Sequence, residues 1–256
     1  MTAEHGGSPT AFDGLVDAYD AARPGYPPAL LDLLPPLEGR VVLEVGAGTG
    51  KASRVLAGAG ARLVLTDLGP RMLARAHEHL PAAPAVVARA EQLPVRAHSV
   101  DLVTAAQAWH WVDVPRATAE VARVLRPGGA LCVWWNEPAA DGLAWFDAQQ
   151  SRLEAANPRY RRGYRDRPYG DELVATGRFA TVTRAEVAWE RTLDLDTYEL
   201  WLRSKSYVDA IREPARSSFL AAERASLQAG FPDGEVREAF TLRVWVALLA
   251  DRVDRG

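Results

Sequence analysis

The stretch of the chain richest in chemical possibility is Glu44-Val45-Gly46-Ala47-Gly48-Thr49-Gly50. An apolar run, Val41 to Val45, passes straight into three alternating glycines and then into residues of helical character. With no Cβ at those positions, backbone can approach a ligand closely. At the carboxyl end of a buried first strand, such a loop suits a nucleoside-type ligand, although a strand-to-helix turn can be glycine-rich without one. The spacing is G-x-G-x-G, and Lys51 stands where a dinucleotide fingerprint would carry its third glycine. The loop therefore fits a ligand with no pyrophosphate to seat on the helix N-terminus. Asp67 ends the next apolar run, Leu63 to Thr66. A carboxylate at the tip of a second strand can accept hydrogen bonds from both ribose hydroxyls; its other common use is to cap the helix that starts near Pro70.

A second constellation is Gln107-Ala108-Trp109-His110-Trp111, just after another apolar run. Two tryptophans around a histidine can wall an apolar pocket and hold one polar tip, or they can simply pack in the core. His110 is the best candidate for a base or orienting group, because imidazole titrates near neutrality. His77 and His79 lie two apart on a helical stretch and do not share a face, so no metal site is expected. Arg159 to Arg167 holds five arginines and reads as a solvated lid surface, as an anion-recognition segment or, disfavoured because the rest of the chain is not basic, as a nucleic-acid contact. Trp201, Ser204, Ser206 and Tyr207 sit where a doubly wound α/β fold often places substrate-contacting helices, with helical core packing equally open for Trp201.

The elements that must position these residues follow from periodicity. Strand-length apolar runs are Val41 to Val45, Arg62 to Thr66, Ala85 to Ala88, Asp101 to Ala105 and Ala130 to Trp135. They are short, nearly continuous and rich in Val and Leu, as strands buried on both faces should be. Helical stretches separate most of them: Gly50 to Gly60, Pro70 to His79 and Pro115 to Leu125. That alternation argues for βαβ units and a parallel sheet flanked by helices. Arg126-Pro127-Gly128-Gly129 reads as a sharp helix-to-strand turn. Leu30 to Leu34 reads as a short amphipathic helix, residues 138 to 176 as helix and loop, Phe179 to Arg191 as a strand, Thr192 to Val208 as a helix, and Thr241 to Leu249 as a last strand after the Pro232-Asp233-Gly234 turn.

Bulk composition narrows the classes of function. Thirty basic and 33 acidic residues in 256 give a net charge of -3, without the basic excess of a dedicated nucleic-acid binder. The single cysteine, Cys132, cannot form an internal disulfide and sits in an apolar run. No signal-peptide core and no run of about 20 apolar residues is present, so the chain is read as cytoplasmic, with neither nucleic acid nor membrane as partner. Oligomeric state is left open.

With these residues in hand, the chain resembles the class I S-adenosylmethionine-dependent methyltransferases of the type 11-like group. Glu44 to Gly50 is similar to their first motif and Asp67 to their ribose-binding acid. Ala90-Glu91-Gln92-Leu93-Pro94 is similar to the segment that packs on adenine, Asp101-Leu102-Val103 to the fourth strand, and Val124 to Gly129 to the turn into the fifth. The motifs come in family order over roughly residues 15 to 136. Tyr19 with Arg23-Pro24-Gly25-Tyr26-Pro27, and Gln107 to Trp111, resemble the branch related to trans-aconitate-type methyltransferases, a likeness that implies a small-molecule substrate, often a carboxylate. One departure is Arg89, where many relatives carry Asp; an arginine cannot accept a hydrogen bond from the adenine amino group.

The resemblance implies a doubly wound, Rossmann-like α/β sheet of seven strands, the last antiparallel, with a helical lid. It implies one domain over 1–256: an N-terminal cap segment (1–39), a cofactor-binding core (40–136), a lid insertion (137–177) and a C-terminal part on the substrate side (178–256). It implies S-adenosyl-L-methionine as cofactor, held by Tyr19, Arg23, Glu44, Gly46, Ala47, Gly48, Asp67, Leu68, Ala90, Glu91 and Gln107. His110 would serve catalysis, and Trp109, Trp111, Tyr164 and Trp201 the substrate. Three rivals stay open: a nicotinamide-dependent reductase, which Lys51 disfavours; a noncatalytic module keeping the cofactor fold; and a sulfonium-using enzyme that does not methylate.

Overall fold

Five apolar runs in the first half of the chain become β1 (Val41–Val45), β2 (Arg62–Asp67), β3 (Ala85–Val87), β4 (Val100–Ala106) and β5 (Leu125–Pro138). The computed structural model describes residues 16, 20, 22–163 and 167–250. Val42, Leu43, Leu65, Val103, Leu131 and Val133 are buried, as in strands covered on both faces. Between the strands lie α1 (Lys51–Gly58), α2 (Pro70–His79) and α3 (Val114–Val124). Each turns one stripe inward: Ala52 and Leu56; Met72, Leu73 and Ala76; Ala117, Val121 and Val124. Those spacings of three and four are what one helix face requires. Asp113 starts α3 by accepting the Arg116 N–H at 3.3 Å.

Parallel ladders join β1 to both β2 and β4, β2 to β3, and β4 to β5. With β6 (Phe179–Asp194) and β7 (Glu235–Leu249) the order is β3-β2-β1-β4-β5-β7-β6, a seven-stranded mixed sheet whose last strands are antiparallel. The chain runs outward from β1 through β2 and β3, then returns to the other flank of β1 with β4. Strand order reverses there, and in open α/β sheets the crevice beyond the carboxyl ends of the strands at such a reversal is where ligands bind. Asp101 secures the opposite, amino ends: its carboxylate accepts the Val41 N–H and the Arg126 guanidinium, each at 2.8 Å. Burial pushes that carboxyl up, but the Arg126, Val41 and Arg40 contacts outweigh burial and hold it below the usual range.

The Arg126 to Gly129 turn is present as a break in the β4–β5 ladder. Leu125 pairs with Val100 and Ala130 with Leu102, so four residues loop out against one. Other boundaries move. β6 continues through Thr192 to Asp194, because the in-and-out alternation of its side chains persists that far. The remaining helices are α4 (Ala144–Ala156), α5 (Tyr169–Ala175), α6 (Leu195–Arg203), α7 (Ser206–Asp209) and α8 (Ala215–Gly230). Asp194 caps α6, accepting the Thr197 N–H at 2.7 Å, which is why that helix starts three residues later than its composition suggested. β7 starts directly after the Pro232 to Gly234 turn. Pro28–Leu33 is a 3-10 turn that buries Leu30.

The chain divides into two compact units. One comprises Gly25–Asn136, Pro168–Val187 and Leu242–Gly256; the other Met1–Pro24, Glu137–Arg167 and Ala188–Thr241. The first is built on the sheet, its core running from Leu43 and Val103 through Val121, Leu131 and Trp135 to Leu173 and Trp245. The second packs Leu153, Tyr198, Trp201, Leu202, Phe219, Leu220 and Leu227. Its core also holds a polar network, in which the Gln149 amide donates to Tyr198 Oη at 2.9 Å and to Glu223 at 3.1 Å, and Arg152 pairs with Glu223 at 2.5 Å. The 137–177 stretch crosses from one unit to the other at Arg167. No described helix is long and apolar enough to cross a membrane.

Cys132 is fully buried in β5, and burial pushes its thiol up to about 12. Only a thiolate reacts readily, so a thiol reagent at neutral pH should label the native chain negligibly and the urea-unfolded chain stoichiometrically. Rapid labelling of the folded protein would contradict this placement.

Candidate functional site

The glycine loop leaves β1 with Gly46, Gly48 and Gly50 at φ of +68°, +56° and +81°. These are left-handed conformations that side chains disfavour. Gly46 has a second constraint, since a Cβ there would lie 2.4 Å from the Ala108 Cβ. The loop is tied down from β2. Ala47 N–H donates to the Thr66 carbonyl at 3.0 Å, and Gly48 N–H donates to Asp67 Oδ2 at 2.9 Å. The other Asp67 oxygen accepts the Gly69 N–H at 2.8 Å. Helix α2 is capped by Gly69 with no side-chain bond, so Asp67 does not serve as its cap. It fastens the glycine loop to the β2–α2 turn, and Leu68 follows it half-buried.

Below the loop, Glu44 is fully buried on β1. Its Oε2 accepts the Ser53 hydroxyl at 2.5 Å, while Oε1 has no hydrogen-bond partner. Burial, reinforced by the Asp67 charge and opposed by the Ser53 bond, raises the Glu44 carboxyl to about 8. It is therefore neutral in the folded protein over much of the physiological range. Thr104, its register neighbour on β4, likewise carries a buried hydroxyl without a partner.

At the carboxyl end of β4, Gln107 adopts φ of +60° while its N–H donates to the Trp134 carbonyl at 2.9 Å. A non-glycine residue in that region is uncommon, and such strain gathers at functional sites. A 3-10 turn, Trp109–Trp111, follows. It splits the trio: Trp109 is fully buried in the core of the sheet unit, whereas His110 and Trp111 are half-buried with rings 4.8 Å apart. Trp109 thus takes the core-packing role rather than that of a pocket wall. Trp135 donates its indole N–H to His110 Nδ1 at 3.4 Å. Ala90 is buried, and Glu91 accepts the Asp113 N–H at 2.8 Å, pinning the 90–93 segment to the start of α3. Glu120 and Arg123 of α3 hold the same segment through the Leu93 N–H and the Leu93 and Val95 carbonyls.

Glu44, Gly46, Ala47, Gly48, Asp67, Leu68, Ala90, Glu91, Gln107, His110 and Trp111 all belong to the sheet unit, on or just beyond strand carboxyl ends. A depression of about 570 Å³ lined by Val41, Arg62, His79 and Pro84 lies at the opposite, amino ends of β1 and β2 and includes none of them. His77 and His79 sit exposed in the last turn of α2.

Arg23 and Trp201 belong to the other unit. Arg23 donates to Ser204 Oγ at 3.0 Å and to the Ser204 carbonyl at 2.8 Å. Trp201 is a core residue there, with the Lys205 ammonium 3.5 Å from its ring centroid and the Arg191 guanidinium at 5.3 Å. Arg191 pairs with buried Glu238, a residue more than 40 positions away. Neither Lys205 nor Glu238 carried a sequence signal. Of the arginine run, Arg162 is paired with Asp141 and Asp147, and Arg161 donates to the Pro158 and Tyr160 carbonyls. Tyr19 and Tyr164 lie outside the described residues.

Comparison with known proteins fits this arrangement. The family profile described as a methyltransferase domain matches residues 43–133, which contain the glycine loop, Asp67 and the β4 terminus. An uncharacterized methyltransferase of Mycobacterium tuberculosis (strain H37Rv) is 38% identical over 216 residues, 84% of each chain. The malonyl-[acyl-carrier protein] O-methyltransferase of Pectobacterium atrosepticum is 39% identical over 103 residues, 40% of this chain and 41% of that one. A solved structure from Anaeromyxobacter dehalogenans assigned as a type II methyltransferase superposes with a TM-score of 0.66 at 29% identity, covering 88% of this chain and 97% of the other.

Proposed function

Because the chain belongs to the methyltransferase family, we propose that it moves the methyl group of S-adenosyl-L-methionine to a carboxylate oxygen of a small molecule. The observation that carries the reading is the meeting, at the point where strand order reverses, of an open glycine loop, an acid at the tip of β2 and a half-buried histidine beyond β4. The residues present fit a cationic nucleoside. Positive-φ glycines let it approach backbone, Asp67 can receive ribose hydroxyls, and Ala90 with Glu91 offers a fastened edge for the base. Glu44 is a buried acid whose ionised form a nearby positive charge would favour. The bound donor supplies an already activated methyl, so the chain's own task is to position, orient and exclude water.

Two features support a carboxylate acceptor: the malonyl-[acyl-carrier protein] O-methyltransferase among the similar proteins, and the resemblance of Tyr19 to Pro27 and of Gln107 to Trp111 to the trans-aconitate-type branch. Such an acceptor already carries the charge it needs, and His110 then orients it.

The test is product analysis with methyl-labelled donor and a panel of small mono-, di- and tricarboxylic acids. Base-labile methyl esters are expected. His110→Ala should raise KM for the acid about tenfold and leave kcat and donor affinity within a fewfold. A base-stable methylated amine would overturn the carboxylate acceptor. Tight donor binding with no transfer to any acceptor class would overturn the enzymatic reading.

A further inference from the structure

We infer that Glu44 is the residue by which the chain distinguishes the charged methyl donor from its neutral product: it gives up a proton to solvent when the sulfonium is bound and takes one back when only the thioether is left. The inference rests on the reading above only in the identity of donor and product.

Glu44 stands on β1, two residues before Gly46, and is 0% exposed. Ser53 meets it from α1, Thr104 lies beside it on β4, and Asp67 acts on it from the tip of β2. Its carboxyl receives the Ser53 hydroxyl at Oε2, while Oε1 has no partner. An ionised carboxylate offers about four acceptor sites, so a buried one with so few donors favours the protonated acid. The Asp67 charge favours the proton as well.

Asp67 also shows that charge at the ligand end of the sheet reaches Glu44. The same carboxylate fastens the glycine loop through the Gly48 and Gly69 N–H groups, and its effect passes through buried strand ends where water screens little. A positive charge arriving at that end acts with the opposite sign. It adds charge without adding burial, because Glu44 is already fully buried. Thr104 then supplies a donor, since its buried hydroxyl has no other partner and can turn to the ionised carboxylate.

The donor carries one positive charge more than the product. In the transfer an acceptor lone pair forms the new bond to the methyl carbon, and the S–C bond pair passes to sulfur. The cation that kept Glu44 ionised is then gone, and an uncompensated buried carboxylate is costly, so Glu44 regains a proton from solvent. Over a full turnover it gives and takes one proton and nets none.

Calorimetry at pH 7 in buffers of different ionisation heat counts these protons. Wild type is expected to release between about half and one proton per S-adenosylmethionine bound, and under about a fifth per S-adenosylhomocysteine. Its preference for donor over product should grow as pH rises toward 8, at up to about tenfold per pH unit. Glu44→Gln keeps the shape without the charge, so both effects should vanish; the ligands' own amino groups titrate alike in the two proteins and cancel. Equal release with donor and product in wild type, a comparison that needs no variant, would overturn the inference. So would donor-specific release that survives Glu44→Gln. A base-stable methylated product accompanied by the expected proton release would instead overturn the carboxylate acceptor alone.

Discussion

Asp67→Ala should weaken binding of S-adenosylhomocysteine, used as a stable probe, by between about tenfold and about a hundredfold. The range follows from the double duty of the carboxylate. It accepts the Gly48 and Gly69 N–H groups, which set the shape of the glycine loop. In the proposed function it also receives ribose hydroxyls. A hydrogen bond to a charged group contributes about 1.5–3 kcal/mol, and each 1.4 kcal/mol is tenfold in affinity. Asp67→Asn keeps one oxygen acceptor and should fall between wild type and alanine. Calorimetry distinguishes the outcomes. An unchanged dissociation constant in both variants, with intact folding, would mean that Asp67 shapes the loop without serving the ligand.

Glu44→Gln should remove a pH dependence of stability that the wild type shows between about pH 4.5 and pH 8. A carboxyl raised from 4.5 to about 8 makes the folded state hold a proton that the unfolded chain has released between those values. Stability is then fully present below about 4.5 and declines as pH rises toward 8, the reverse of a salt-bridged acid such as Asp101. At 1.36 kcal/mol per pKa unit, the wild type should lose about 3 kcal/mol between pH 4.5 and pH 7 from this group alone. Glutamine cannot ionise, so its denaturation midpoints in urea should stay level over the window once other groups are matched. Parallel profiles for the two proteins would sink the assignment. Because the Asp67 charge is one cause of the raised value, the Glu44 and Asp67 substitutions should also be non-additive.

The sheet half of the molecule was legible because its evidence is local. Val41–Val45 and Pro70–His79 fall at the residues periodicity indicates, and the other early strands and helices differ at their ends by a few residues. A strand buried on both faces must be a short apolar run, and glycines at positive φ must be glycines, so both write themselves into composition. The later helices were harder. Nothing in 215–230 announces a sixteen-residue helix, since its buried positions include Glu223, an acid that only Gln149 and Arg152 from another helix make tolerable.

Of the candidate site, the chain by itself determined the order of motifs, and with it the ligand end of the sheet: strand termini and their loops are set by local pattern. Tertiary structure alone decided how the residues divide the work. Trp109 and Trp111 are equivalent in sequence around His110, yet a 3-10 turn rotates one into the core and leaves the other half-exposed. The Trp135 contact to His110 joins residues 25 apart on different elements, and the stack that aims it comes from Tyr169 and Trp245, farther still. Glu44 became a neutral buried acid only when packing took it out of water and β2 placed Asp67 nearby, against the opposing pull of the Ser53 hydroxyl. Residue types can be read one at a time, but hydrogen-bond partners and local dielectric are properties of the packed chain.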